Sequence, residues 1–368
     1  MPAEASQIVK RVFVTDCEGP ISKNDNAFEL AAHFIPDGDR FFANVSKYDD
    51  VLADVVKKEG YKAGDTLRLI LPFMKAYGAT DKKIRDFSEK NVLLVPGAKK
   101  TLTFVRKIMS SFIVSTSYEQ YISALCAVTG FPFENTYCTR LNMDKYKISD
   151  QETEQLKKLT KEIAELPMVE IPKEATSVND FSDRDQETVS RLDEIFWKEI
   201  PEIESGRMLA EVNPVGGTEK ARSVEDIVRK MGCSFDCVMY VGDSITDAPA
   251  LKLVKENGGL AVSFNGNSYS VRESDVAVLS GDTVVTSVLA DVFCRIGKDA
   301  VLGLVDNWSL AGLKKYCDNS VLIDEMNAVF SGGFPQVERL TSGSVERLIS
   351  ESSVFRKTVR GEAIGKLG

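Results

Sequence analysis

Short apolar runs and longer amphipathic stretches alternate along most of this chain. Four runs are rich in Val, Ile and Phe: "RVFVTD" at 11–16, "SSFIVSTS" at 110–117, "DCVMYVGDS" at 236–244 and "GLAVSFNG" at 259–266. Continuous apolar runs, rather than alternating ones, are what strands covered on both faces require, as in a parallel sheet. Helical patterns lie between them. "GAKKTLTFVRKIM" precedes the second run, "TEKARSVEDIVRKMG" the third and "DAPALKLVKENG" the fourth. In the middle one, Ser223 reads as a start signal and Gly232 as a stop. This alternation predicts an α/β fold built on a doubly wound parallel sheet.

Two stretches break the alternation. Residues 24–92 are mainly helical, with patterns such as "NDNAFELAAHF" and "TDKKIRDFSEKN". Residues 145–206 are highly charged and helical, centred on "SDQETEQLKKLTKEIAEL" and "DRDQETVSRLDEIFWKEI". Both read as insertions, and their charge runs as solvated helix faces. The expected division is a core of 1–23, 93–144 and 207–285, a helical insertion at 24–92 and a charged one at 145–206. A helical extension at 286–368 follows, with a loop at "SGGFP".

Composition narrows the function classes. The formal net charge of −9 speaks against a nucleic-acid partner, which favours a basic face. No apolar run follows "MPAEASQIVKR", and none approaches the roughly 18 residues of a membrane span, so a cytoplasmic protein without membrane insertion is expected. The seven cysteines are odd in number and include no CxxC pair. Cys233 and Cys237 in "CSFDC" are a weak metal signal, and reduced, buried thiols are the expectation. His33 is the single histidine and sits in an apolar helical stretch. Acid–base chemistry must therefore fall largely to carboxylates, lysines or metal-bound water.

The polar signals cluster just after the expected strands, the edge where open α/β sheets bind ligands. Asp16 and Glu18 follow the first, and Ser115, Thr116 and Ser117 close the second. Asp243 and Asp247 follow the third in "GDSITDAPAL", and Lys220 opens the helix before it. Three carboxylates at one edge repel unless a cation sits among them, and hard oxygen ligands suit Mg²⁺. A carboxylate can also act as a nucleophile toward phosphorus. Phosphoryl transfer then needs a metal and a lysine against the charge, a hydroxyl donor and an acid–base group.

This set resembles the four motifs, in order, of the haloacid dehalogenase-like (HAD) superfamily. "VFVTDCEGP" resembles the first, which implies Asp16 as nucleophile and Glu18 as acid–base residue, with its backbone carbonyl toward the metal. "FIVSTS" resembles the second, implying Ser115 as the phosphate-contacting hydroxyl, or Thr116 if the register differs by one. Lys220 in "GGTEKARSV" matches the third. "VGDSITDAPAL" matches the fourth, with Asp243 and Asp247 as metal carboxylates. The resemblance spans roughly residues 10–280 and implies a Rossmann-like core, a C1-type cap at 24–92 and a Mg²⁺-dependent phosphatase acting on a small phosphorylated metabolite. More loosely, the layout resembles an archaeal HAD-like group named for energy-converting hydrogenase A subunit R.

Two departures matter. Glu18 stands where Asp is commonest and Pro20 where Thr is commonest. The longer glutamate can still move protons, at some loss of positional precision. These departures and the double insertion keep open an alternative, a regulatory or accessory subunit of a larger complex with weak or no catalysis. Cys17, between the two acids, should turn toward the core. Asn265 reads either as a loop residue or as a substrate contact. "GEAIGKLG" lacks the spacing and final hydroxyl of a phosphate loop.

Overall fold

The computed structural model describes residues 10–365. The start read for a leader, residues 1–9, lies outside them, as do the last three residues of "GEAIGKLG". Among the described residues, seven strands form one sheet in the order β3-β2-β1-β4-β5-β6-β7. They are β1 (Val12–Thr15), β2 (Ser110–Tyr118), β3 (Thr136–Thr139), β4 (Val238–Gly242), β5 (Leu260–Phe264), β6 (Val276–Leu279) and β7 (Gln336–Arg339). All pair in parallel except β7, which runs antiparallel to β6. The four expected strands form the middle of the sheet, where β1, β4 and β5 are buried at every position.

Three strands carried no recognised signal. β3 and β7 are four-residue edge strands of mixed polarity, because an edge strand does not need two apolar faces. β6, "VAVL", is fully buried but too short to stand out. β7 also corrects the reading of 286–368 as purely helical: it closes the sheet just after the "SGGFP" loop.

Helices cover both faces. Ala98–Ile108 and Val284–Arg295 bury themselves in one core with Phe13, Ile113, Val241 and Val262. Thr218–Met231 and Ala248–Glu256 cover the other face around Val12, Val114 and Tyr240. Thr218–Met231 does not begin at Ser223. It begins five residues earlier, after Gly217 at φ 51°, and the Ser223 hydroxyl donates to the Glu219 carbonyl at 2.8 Å inside the helix. Gly232 does end it, at φ 63°, with Cys233 N–H donating to the Val228 carbonyl across the turn.

The two irregular stretches bury their apolar faces against each other. Leu30, Phe41, Val45 and Phe73 share one hydrophobic cluster with Leu156, Ile163, Leu192 and Phe196. The Tyr48 and Phe196 rings stack at 5.7 Å, and Asn44 Nδ2 donates to the Ile163 carbonyl at 2.8 Å. The charged helix Asp150–Glu165 buries Leu156, Leu159 and Ile163 on one side and leaves its lysines toward water.

Candidate functional site

β2 and β3 lie on one side of β1 and β4 to β7 on the other, so the crevice beyond the carboxyl ends of β1 and β4 is the topological switch point of the sheet. Asp16 leaves β1 there. Its backbone N–H donates to the Val241 carbonyl on β4 at 2.8 Å, which continues the ladder one residue past the strand. Oδ1 accepts from the Cys17 N–H at 2.6 Å, and Oδ2 pairs with Lys220 Nζ at 2.7 Å. Cys17 itself is fully buried in the core beneath, as its alternation with Asp16 and Glu18 requires.

Lys220 is completely buried and joins two acids, reaching Asp247 Oδ1 at 2.8 Å as well. Burial works to lower its pKa, but Asp16 and Asp247 hold it above the ordinary lysine value, so it keeps its proton. One ammonium between two carboxylates leaves a negative charge in excess. Asp247 has the further donors and stays low despite its burial, through Lys220 and the Tyr240 hydroxyl. Asp16 is the partner pushed up, by burial and by the charge of Asp247, with Lys220 pulling back.

Asp16, Asp243 and Asp247 are all buried, and each offers an oxygen within 4.8 Å of the others. Such a set of hard oxygen donors fits a divalent cation of the Mg²⁺ type. The three acids are not equivalent. Asp247 accepts from Lys220 and the Tyr240 hydroxyl (2.7 Å) on Oδ1, and from Asp243 N–H, Ser244 N–H and the Ser244 hydroxyl (3.1, 3.1 and 3.2 Å) on Oδ2. Five donors fill the roughly four lone-pair sites of a carboxylate, so Asp247 is the most fully hydrogen-bonded of the three.

Glu18 Oε1 accepts from the Asn26 N–H at 2.7 Å, at the start of the helix Asn26–Phe34, which Asp25 also caps through the Phe28 N–H. The extra methylene of Glu gives it this reach. Burial and the neighbouring charge of Asp25 push its carboxyl well above the usual carboxylate range, with Arg360 pulling the other way. Asp16, Glu18, Asp25 and Asp243 line a common cavity of about 110 Å³, together with Asp49, Gly64 and Thr66 of the 24–92 stretch. Gly64 presses directly onto the site: a β-carbon there would meet Thr116 Cγ2 at 2.9 Å and Thr246 Cγ2 at 3.2 Å.

On β2 it is Thr116 that lines the cavity, with its Oγ1 buried and unpartnered among the described residues. Ser115 falls on the opposite side of the pleat, and its hydroxyl accepts from the Ser117 N–H at 3.2 Å. Asn265 is a loop residue here, at φ 50°, whose amide exchanges hydrogen bonds with Ser280. His33 is exposed, tilted against Phe87, and away from the cavity. All seven cysteines are free.

Arg356 and Arg360 were not foreseen. They lie on the helix Val345–Arg360 and line the same cavity. Arg356 Nη1 donates to Asp243 Oδ2, and Arg360 Nη1 reaches the same oxygen at 3.2 Å. Arg360 also donates to the backbone carbonyls of Lys23 and Asn24. In the sequence, "FRKTVR" offers only two arginines four apart on a helix, the signature of a solvated basic face.

The fold is similar to the Rossmann-like core of haloacid dehalogenase-like proteins. Residues 97–273 match the family model for haloacid dehalogenase-like hydrolases. The gene product AF1437 from Archaeoglobus fulgidus superposes with a TM-score of 0.75 over 98% of this chain and 99% of its own, at 26% identity. A curated phosphoserine phosphatase of Archaeoglobus fulgidus is 36% identical over 112 residues, 30% of this chain. That match spans less than a third of the relative's length, 31%. A substrate-bound phosphoserine phosphatase structure is far looser, with a TM-score of 0.43 at 13% identity over 75% of this chain and 96% of that one.

Proposed function

We propose that this chain is a divalent-cation-dependent phosphatase that hydrolyses a small phosphorylated metabolite through an aspartyl phosphate on Asp16. The observation that carries the reading is the pairing of roles in one cavity. Asp16 is presented at a strand end with Lys220 against it, and Glu18 has a carboxyl raised toward holding its proton. In the first half-reaction an Asp16 oxygen bonds to phosphorus as the leaving oxygen departs, and Glu18 gives that oxygen a proton. In the second, Glu18 takes a proton from the water that attacks the aspartyl phosphate, and Asp16 is released. Lys220 offsets charge on Asp16 throughout. Thr116 donates to a phosphoryl oxygen. Mg²⁺, held by Asp16 and Asp243, would supply further charge neutralisation on the transferring group.

The reading also takes 24–92 as a C1-type cap and 145–206 as a second insertion, with 286–368 as an extension, in a cytoplasmic protein. No helix among the described residues is long and apolar enough to cross a membrane. Phosphate release from an aryl phosphate, followed with and without Mg²⁺, tests the mechanism. Asp16→Asn should abolish it, and wild-type turnover by that variant would exclude the aspartyl phosphate. A screen of phosphorylated metabolites then names the substrate.

One observation favours a second reading, an accessory or regulatory subunit with weak or no catalysis: two arginines occupy Asp243 Oδ2. Vanadate with Mg²⁺ separates the two. It should raise the melting temperature of a catalytic site and leave that of an accessory subunit unchanged.

A further inference from the structure

We propose that Arg356 and a divalent cation compete for Asp243, so that the helix Val345–Arg360 acts as a built-in cation that metal loading must displace. The inference rests on the reading of Asp243 as a metal carboxylate. Its first support is geometric. Arg356 Nη1 bonds Asp243 Oδ2 and also lies 3.2 Å from the Asp243 carbonyl and 3.4 Å from the Asn265 carbonyl. Arg360 Nη1 shares the carboxylate oxygen. The two arginine side chains are 4% and 5% exposed and that of Asp243 2%, so water does little to screen the contacts.

The second support is charge. Arg356 and Arg360 bring two positive charges to the Asp243 carboxylate, in a cavity that Asp16, Glu18 and Asp25 also line. A divalent cation on Asp243 would lie against those two guanidinium groups in a place with little water, so like-charge repulsion sets the ion and the arginines against each other. Mg²⁺ also demands near-octahedral oxygen ligands at roughly 2.0–2.1 Å, which a carboxylate oxygen already holding two guanidinium N–H groups cannot provide.

The third support is the state of Arg356 itself. Its Nε is buried and has no hydrogen-bond partner among the described residues. A guanidinium seated for structure alone would be expected to satisfy its donors, since an unpaired buried N–H is costly. The helix has independent anchors earlier along its length. Leu348 packs among Val271, Ala277 and Leu279, and the Ser352 hydroxyl donates to the Gly266 carbonyl at 2.6 Å. Withdrawal of Arg356 and Arg360 therefore needs only the last turns to move. Because Arg360 also holds the carbonyls of Lys23 and Asn24, its release frees the root of the 24–92 stretch beside Glu18. The coupling is reciprocal: whatever factor the docked helix takes from metal affinity, bound metal takes from docking.

Mn²⁺ binding, followed by the electron paramagnetic resonance of the free ion, tests this without reference to turnover. Arg356→Gln should bind Mn²⁺ roughly tenfold or more tightly than wild type, since a competing charge next to the ion is gone. Equal or weaker binding overturns the competition and makes Arg356 a support for Asp243. Asp243→Asn separates the layers. If it loses Mn²⁺ while Arg356→Gln matches wild type, only this inference fails. If Asp243→Asn binds like wild type, the metal reading of Asp243 fails and the inference with it. Should Arg356→Gln not fold, hydrogen exchange on the wild-type protein decides. Mn²⁺ should speed amide exchange in residues 353–360, and unchanged or slower exchange overturns the proposal.

Discussion

Gly19 lies so close to Asp243 that a β-carbon on it would stand 2.1 Å from Oδ2. It holds φ at +97°, a conformation costly for any other residue. The turn after β1 and the turn after β4 are thus in direct contact through a bare α-carbon. Gly19→Ala should push the Asp243 carboxylate out of the cluster and add about 1–3 kcal/mol of backbone strain. Mn²⁺ titration and phosphate release check this: both should fall sharply while circular dichroism shows the fold retained. Wild-type values for both would mean the two turns are farther apart than described.

Lys220 should prove more important to stability than a typical lysine. Removing it as Lys220→Met strands two buried carboxylates, which costs roughly 3–5 kcal/mol when a buried pair is broken on one side. Urea unfolding measures it. Adding Asp16→Asn to Lys220→Met should restore part of the loss, because the repulsion with Asp247 is relieved. A double variant less stable than Lys220→Met would show that Asp16 is not the acid carrying the excess charge.

Two hydroxyls at the end of β2 compete for one role. Thr116→Val keeps shape and removes the unpartnered Oγ1 that faces the cavity. It should lower kcat/KM for an aryl phosphate by roughly a hundredfold, the scale of losing one preorganised donor, with little change in unfolding. Ser115→Ala removes the acceptor of the Ser117 N–H and should cost about 1 kcal/mol in stability instead. The reverse pattern would return the role to Ser115.

Asp49 should make stability fall as pH rises through neutrality. Its carboxyl shapes the loop that carries Gly64, accepting from the Tyr61 hydroxyl at 2.6 Å and from the Gly64 N–H at 2.9 Å. Burial pushes its pKa up to about 7, against the pull of those donors. A folded-state pKa above the unfolded value means the folded protein binds more protons between about pH 4 and 7. The stability so gained is complete below about pH 4 and lost as pH rises through about 7. Denaturant midpoints between pH 5 and 8 should therefore drop more steeply for wild type than for Asp49→Asn. A shallower slope in the wild type would reverse the sign.

Much of this was legible before any coordinates. β1 and β4 are apolar at successive positions because both faces of a central strand are covered, and that pattern is local. Asp16 and Asp243 mark strand exits because polar residues follow directly on the apolar runs, although both stay buried in the fold. β3 and β7 were not legible, because edge strands lack that constraint. Ser223 misled because a serine that bonds back to the preceding turn looks, in one dimension, like one that opens a helix.

What the sequence by itself determined is the order of the central strands' appearance, the helices between them and the identity of the acids and the lysine at their ends. These follow from periodicity and from residues within one element of each other. Only the tertiary structure decided which hydroxyl of β2 faces the cavity, that five donors saturate Asp247, and that the two irregular stretches bury one shared core. It alone brought Arg356 to Asp243 across 113 residues of chain. Two arginines four apart state which side of a helix they share, but not which surface that side will meet. Docking depends on the sum of contacts along the whole helix, from Leu348 to Arg360, and no local pattern records that sum.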